Sequence, residues 1–343
     1  MGDDSARPEC GEREIRPPSL EDTLGTLSTR VAGDAERSAH ARPIARGPVV
    51  VTSRGDGSSD GALRVAMALA NEAGCDIRLI AVLDLAPIVA PEFGTLMDVP
   101  DDDSERRRVL RRAIAAQLRR VGVEPKTVAV DIRIGDPPTE IVRAARDARA
   151  RLLVLGVSHH DLLDRVLGIN TAVRVARAAD VPVLVVPRSC TELPRSAIVA
   201  VDFSDASVLA ARAAVDLFPR LDELLLAHVA PSVEPAIDTV ARFEGRYLGD
   251  VERAFDRFRE SVAVAPGTTV SRQVARGNPG RELLRIAAAR GSELIVAGSH
   301  GHGALQRIFV GSVATVLLRE SPVPVLILPA RAGVDSHAPM PTS

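Results

Sequence analysis

The chain has 343 residues, which suggests two domains at the usual size of about 150 residues each. Its formal net charge of −2 supplies no basic excess to neutralise phosphates, so a general nucleic-acid binder is excluded. No apolar run approaches the roughly 20 residues of a membrane-spanning helix. The three cysteines, Cys10, Cys75 and Cys190, lie far apart and outside any C-x-x-C pair, as in a reducing compartment. We therefore expect a cytoplasmic protein with neither nucleic acid nor membrane among its partners.

The two ends of the chain differ from its middle. Residues 1–46 are rich in Arg, Asp, Glu, Pro and Ser and can bury little apolar surface, so we expect a disordered tail there. Residues 332–343 are predicted to be a flexible C-terminal tail. The folded part is therefore expected between these two segments.

Short aliphatic runs alternate with segments of helical spacing from residue 47 onward. In chain order the first half predicts strand "PVVVTS", helix "SSDGALRVAMALANEAG", strand "DIRLIAVLD", helix "DDDSERRRVLRRAIAAQLRRVG", strand "TVAVDIRIG", helix "PTEIVRAARDAR", strand "RLLVLG", helix "NTAVRVARAAD" and strand "PVLVVP". Acidic residues begin the second helix and arginines end it, as the helix dipole favours. The order is strand–helix four times, followed by a fifth strand.

The second half repeats the first. "RSAIVAVD", "DASVLAARAAVDLF" and "ELLLAHVAP" match the opening strand, helix and strand, and "SPVPVLILP" contains the last strand. Three pairs share an offset of 142 residues: Gly135 with Gly277, Gly156 with Gly298, and Pro187 with Pro329. A single offset over such a length indicates an internal duplication.

This alternation predicts an α/β protein of two tandem, doubly wound domains, each a five-stranded parallel sheet with helices on both faces. We place the domains at residues 47–190 and 194–331. In such sheets ligands bind beyond the carboxyl ends of the strands, where the strand order reverses. Asp202 lies at the end of the first strand of the second copy, and Gly298 at the end of its fourth.

A glycine-rich loop follows that fourth strand. Gly298 and Gly301 are followed, after nine residues, by Gly311 and Ser312, which begin a predicted helix. Glycines let a backbone approach a ligand closely, and a helix N-terminus attracts anions, so the loop predicts a phosphate site. It is neither a Walker A loop nor the dinucleotide G-x-G-x-x-G motif. A plain flexible turn, with Ser312 as the helix N-cap, is the alternative.

The G-x-x-G, nine residues, G-S arrangement resembles the ATP-binding signature of the universal stress protein family. "VAVDFSDAS", "AHVAP" and "SPVPVLILP" resemble that family as well, and the resemblance covers both copies. It implies a Rossmann-like, adenine-nucleotide-binding fold and a role in the stress response. It also implies an ATP site in the second copy, with Mg²⁺ left open, at Val201, Asp202, Phe203, Val229, Gly298, Ser299, His300, Gly301, Gly311, Ser312, Val313 and Ala314. For Asp202 the alternative is a helix-capping role.

The first copy departs from this signature. Thr52 is taken as the counterpart of Asp202, His159 replaces the second glycine, and no serine follows Gly168. Asp161 adds negative charge where phosphates would lie. We expect the first copy to keep the fold and to have lost, or greatly weakened, nucleotide binding.

No catalytic or metal site is predicted. His300 and His302 are too few for a zinc site, which needs three or four converging ligands. No general base is evident, so ATP is expected to act as a regulatory ligand with slow hydrolysis at most. A nucleotide-independent interaction scaffold and a slow ATPase are the alternatives.

Resemblance to family homodimers suggests that the two last strands pair within one chain as a pseudo-dimer. A homodimer of chains and an unknown protein partner are left open.

Overall fold

The computed structural model describes residues 46–84, 102–157, 162–230, 240–299 and 311–329. The predicted tails, 1–46 and 332–343, lie outside these ranges except for Arg46. The described part contains two successive sets of five strands, with helices between them.

The elements follow the predicted order in both halves. The strands of the first half are β1 (Val49–Thr52), β2 (Ile77–Leu83), β3 (Ala129–Ile134), β4 (Leu152–Val157) and β5 (Val183–Pro187). Its helices are α1 (Asp60–Ala73), α2 (Asp103–Arg120), α3 (Pro137–Asp147) and α4 (Leu162–Ala178), with a 3-10 turn at Pro125–Thr127. The strands of the second half are β6 (Ser196–Ala200), β7 (Glu223–Ala230), β8 (Thr269–Arg276), β9 (Leu294–Gly298) and β10 (Val325–Leu328). Its helices are α5 (Asp205–Leu217), α6 (Val240–Ser261), α7 (Pro279–Arg290) and α8 (Ser312–Glu320).

All ten strands form one sheet, in the order β3-β2-β1-β4-β5-β10-β9-β6-β7-β8. The strands are parallel within each half. Between the halves, β5 and β10 pair antiparallel, with Leu184 opposite Leu326. The α/β fold and the expected pairing of the two last strands are therefore confirmed.

Duplicated capping residues set matching helix starts. Asp136 caps α3 by accepting a hydrogen bond from the amide of Thr139, and Asn278 caps α7 through the amide of Arg281. A proline follows each cap at the first helical position, where its missing N–H costs nothing. The third strand of each copy is thus joined to its helix by the same local device.

The core consists of two aliphatic layers, one on each face of the sheet. Side chains alternate along β1, so that Val49 and Val51 face one layer and Val50 faces the other. Helices α1, α2, α5 and α6 cover the first face, and α3, α4, α7 and α8 cover the second. Each fully buried Val, Leu or Ile contributes about 1.5–3 kcal/mol. Both layers extend across both halves of the sheet, so the two domains share their core.

The strand register corrects one part of the internal alignment. Val51 lies opposite Val154, and Val199 lies opposite Val296, which makes Val51 and Val199 equivalent. Thr52 therefore matches Ala200, and the counterpart of Asp202 lies further along the chain, in the longer loop after β1. The prediction that Thr52 takes the place of Asp202 is therefore wrong. The loop between β1 and α1 is three residues longer than the loop between β6 and α5, which shifts an alignment made by eye.

Candidate functional site

The candidate site of the second domain lies where β6 and β9 run side by side. These strands are parallel neighbours, so their carboxyl ends reach the same edge of the sheet. The chain leaves β6 into α5 on one face and leaves β9 toward α8 on the other. The strand order reverses here, which is where open parallel sheets bind ligands. The fold thus brings Asp202 and Gly298 to one edge.

The loop between β9 and α8 is closed at its base. The amide of Ser299 donates to the carbonyl of Leu328 at 2.8 Å, and the amide of Gly311 donates to the carbonyl of Ser299 at 2.7 Å. Ser299 is itself 1% exposed. His300 and Gly301 lie outside the described residues. The two described ends of the glycine loop are therefore held next to each other.

Gly311 is the N-cap of α8, and no side chain caps this helix. Ser312 is the first helical residue and is exposed, so the alternative in which Ser312 caps the helix does not hold. A Cβ atom on Gly311 would lie 3.3 Å from the carbonyl oxygen of Ser299, which is closer than ordinary contact. Val313 and Ala314 complete the first turn, whose amides point out of the helix start. This end of the helix is suited to an anion.

The residues that follow β6 form a tight turn into α5. Oδ1 of Asp202 accepts hydrogen bonds from the amide of Ser204 at 3.0 Å and from its hydroxyl at 2.5 Å. Ser204, in turn, caps α5 through the amide of Ser207 at 3.3 Å. Asp202 therefore supports the capping residue and is not the N-cap itself, which answers the alternative considered for it.

The side chains beside this turn divide between the two faces of the sheet. Val201 is buried, and Phe203 packs against the same core layer, although its backbone has a φ of 61°. Val229, near the end of β7, is half-buried and packs against the opposite layer. His228 lies next to Val229 and contacts both Val201 and Phe203. No role was predicted for His228, although a histidine at the end of an aliphatic strand is a signal that the sequence contains.

In the first domain a cluster of buried polar side chains supports the turn that follows the first strand. Gln117 of α2 is fully buried, and its amide nitrogen donates to Oδ1 of Asp60 at 2.7 Å and to the hydroxyl of Ser59 at 3.2 Å. The hydroxyl of Ser53 donates to the side-chain oxygen of Gln117. These four residues, named here the Gln117 cluster, join the turn after β1 to α2. Sequence analysis missed the cluster, although Gln117 interrupts an apolar helix stripe between Ile114 and Leu118.

Asp60 of the Gln117 cluster is held in its ionised form. Burial raises the pKa of Asp60, but hydrogen bonds from Arg120 and Gln117 outweigh this effect, so the pKa lies below its ordinary value. Arg120 contacts both carboxylate oxygens at 3.2 Å. The carboxylate stands at the first position of α1, where a negative charge also suits the helix dipole.

The fourth helix also differs between the copies. α4 extends over 162–178 and contains Gly168 in its interior, whereas α8 begins only after Gly311. A Cβ atom on Gly168 would meet nothing within 4 Å. His159 and Asp161 lie outside the described residues. Gly168 therefore does not begin a helix as Gly311 does.

Other functional classes find little support in the described ranges. There, no three His, Cys, Asp or Glu side chains converge as metal ligands. None of the described helices combines the length and the apolar character needed to cross a membrane.

The family is decided by direct comparison. A model of the universal stress protein family matches the chain twice, over residues 46–187 and 195–329. The chain belongs to the universal stress protein family. Its two matching segments confirm the tandem duplication inferred from the sequence.

Individual members of the family show similar coverage. A universal stress protein of Mycobacterium tuberculosis is 29% identical over 235 residues, which are 66% of this chain and 77% of the relative. One from Mycolicibacterium smegmatis is 26% identical over 289 residues, 80% of this chain and 94% of the relative. The crystal structure of a universal stress protein from Archaeoglobus fulgidus superposes with a TM-score of 0.55 at 21% identity. It covers 81% of this chain and 97% of that chain, and it supports the fold alone.

Proposed function

We propose that this protein is an ATP-binding regulator of the stress response, with one competent site in its second domain. The observation that carries the proposal is the closed base of the β9–α8 loop, where Ser299 and Gly311 meet beside an uncapped helix start. The proposed domains are residues 47–190 and 194–331, with tails at 1–46 and 332–343.

The described residues fit a nucleotide on three counts. The helix start at Gly311 carries no side-chain cap, so its first amides are available to an anion. Ser312 adds an exposed hydroxyl that can donate to phosphate. Asp202 supplies a carboxylate at the adjoining strand end, which suits the hydroxyls or amino group of a nucleoside.

Different residues of the proposed site would contact different parts of ATP. The amides of Ser312, Val313 and Ala314 would hold phosphates, together with His300 and Gly301 of the loop, while Gly311 keeps the helix start close to Ser299 through its own amide. Gly298 and Ser299 would lie by the ribose, and Ser299 also closes the loop. Val201, Asp202, Phe203 and Val229 would meet the nucleoside. ATP supplies a charged triphosphate and a flat base, so its binding would alter the surface beside the site and favour the conformation that contacts it.

The proposal favours binding over turnover. No described residue is placed as a general base to activate water, and an efficient phosphoryl transfer requires such positioning. Mg²⁺ is a proposed companion of the phosphates. Cytoplasmic location and an unidentified protein partner complete the proposal.

The proposed function is tested most directly by asking whether ATP stays bound to the protein during purification. The full chain is purified, denatured and analysed for released nucleotide, and the emptied protein is then titrated with ATP in a calorimeter. Bound ATP in a ratio of one per chain supports the regulator. An empty protein that also fails the titration supports the scaffold, and steady accumulation of ADP supports the ATPase.

A further inference from the structure

Three rings hold the exit of β6 in place. The imidazole of His228 and the ring of Phe203 lie with their centroids 4.8 Å apart at an interplanar angle of 41°. Phe255 of α6 meets the same Phe203 ring edge-on at 5.1 Å. Aromatic pairs in this geometry contribute beyond their buried area. Phe203 is therefore clamped between a strand and a helix.

His228 also holds the backbone of the turn. Its Nδ1 lies 2.7 Å from the carbonyl oxygen of Val201. A carbonyl oxygen only accepts, so Nδ1 carries the hydrogen and donates. Both the neutral ring in this tautomer and the protonated ring satisfy that requirement, so the bond does not depend on the charge of His228.

The clamped turn stores backbone strain. Phe203 has a φ of 61°, a left-handed conformation that costs a non-glycine residue about 1–2 kcal/mol. Such a conformation persists only where its surroundings determine it, and these are common at ligand sites. Here the surroundings are the hydrogen bond at Val201 and the two ring contacts.

The first domain has a longer turn after β1, and the ring contacts of the described residues all lie in the second domain. Gly55 in that longer turn also has a positive φ, of 78°, and as a glycine it adopts this conformation without strain. Ala81 is the counterpart of His228, because Ile80 pairs with Thr52 as Ala227 pairs with Ala200. The rings are thus particular to the domain proposed to bind ATP.

We infer that His228 is a positioning residue for nucleoside recognition: through Val201 and Phe203 it fixes the backbone that meets the adenosine end of ATP. This inference rests on the proposed function. His228 acts on the strand exit of β6 and leaves the phosphate end, between Ser299 and Gly311, unaffected.

The test separates the two ends of the ligand. Wild type, His228→Ala and His228→Asn are titrated with ATP and, separately, with inorganic tripolyphosphate. His228→Ala is expected to weaken ATP binding about tenfold, the size of one hydrogen bond with its packing, and to leave tripolyphosphate binding within about twofold. His228→Asn keeps a donor near the position of Nδ1 and should recover most of the ATP affinity. Hydrogen–deuterium exchange over residues 200–204, measured without ligand, should rise in His228→Ala and fall back in His228→Asn.

The outcomes distinguish the inference from the proposed function. Equal losses for ATP and tripolyphosphate, or ATP binding by His228→Ala at wild-type strength, overturn the positioning role. Unchanged exchange over 200–204 in His228→Ala overturns it whether or not ATP binds. Raised exchange in that variant, combined with a wild type that binds no ATP, overturns the proposed function alone.

Discussion

The two domains differ in the turns and helix starts that follow their first and fourth strands. In the second domain, β6 and β9 end beside a closed glycine loop and an uncapped helix start. In the first domain, the space beyond β1 holds the Gln117 cluster, and α4 begins before Gly168. The sheet order is the same in both. The comparison teaches that one strand topology can carry different turns, helix starts and side chains at the carboxyl ends of its strands.

The largest expected effect on ATP binding comes from a substitution of Gly311, at the start of α8. Gly311→Val adds a branched side chain where even a Cβ lies 3.3 Å from the carbonyl of Ser299. The carbonyl of Ser299 or the start of α8 must then shift by at least a few tenths of an ångström, which displaces the amides proposed to hold phosphate. ATP affinity should fall about a hundredfold or more, equivalent to about 2.7 kcal/mol. Calorimetric titration measures the loss. Circular dichroism should show an intact fold, and undiminished binding would remove Gly311 from the site.

The next effect concerns the contribution of the Gln117 cluster to the stability of the protein. Gln117→Ala leaves the buried groups of Ser53, Ser59 and Asp60 short of partners, and each unsatisfied buried group costs about 1–3 kcal/mol. We expect the free energy of unfolding to fall by about 2–3 kcal/mol, measured by urea unfolding, with ATP binding unchanged. Arg119→Ala, at an exposed position on the same helix, is the matched control and should change stability by less than about 0.5 kcal/mol. A similar loss of unfolding free energy in both variants would mean that truncating any side chain of α2 destabilises the protein, and that the Gln117 cluster has no special contribution.

Acid should weaken the first domain through Asp60. Its pKa is lowered in the folded protein, so its contribution is complete above the ordinary aspartate value of about 3.9 and is lost as the pH falls through the lowered folded pKa. Urea unfolding between about pH 2 and pH 5 should therefore show a steeper fall in the free energy of unfolding toward acid for wild type than for Asp60→Asn. Parallel profiles would mean that Asp60 is not a source of acid sensitivity.

The smallest effect tests the fourth helix. Gly168→Ala places a methyl group in open space inside α4, where alanine is favoured over glycine by about 0.5–1 kcal/mol. The variant should be slightly more stable in thermal unfolding and should bind ATP as wild type does. A loss of ATP binding would mean that Gly168 belongs to a ligand-binding loop, so that it would not differ from Gly311 in the way described above.

The sequence predicted the fold more fully than the site. Alternating strands and helices, the offset between Gly156 and Gly298, and the pairing of the last strands all followed from local pattern and duplication. The counterpart of Asp202 was misassigned because the turns after β1 and β6 differ in length, and only hydrogen-bond register fixes such a shift. The Gln117 cluster was missed because a polar helix residue ordinarily faces solvent, and its partners lie 57 to 64 residues away in the chain.

The antiparallel joint between β5 and β10 has a consequence for how the two halves communicate. Strands of the first domain run opposite to those of the second, so their carboxyl ends emerge from opposite margins of the ten-stranded sheet. The proposed nucleotide site at Asp202 and Gly311 and the Gln117 cluster therefore lie at opposite margins of the sheet. The aliphatic core and polar contacts between the halves, such as the ion pair of Arg220 with Glu72, connect the two margins.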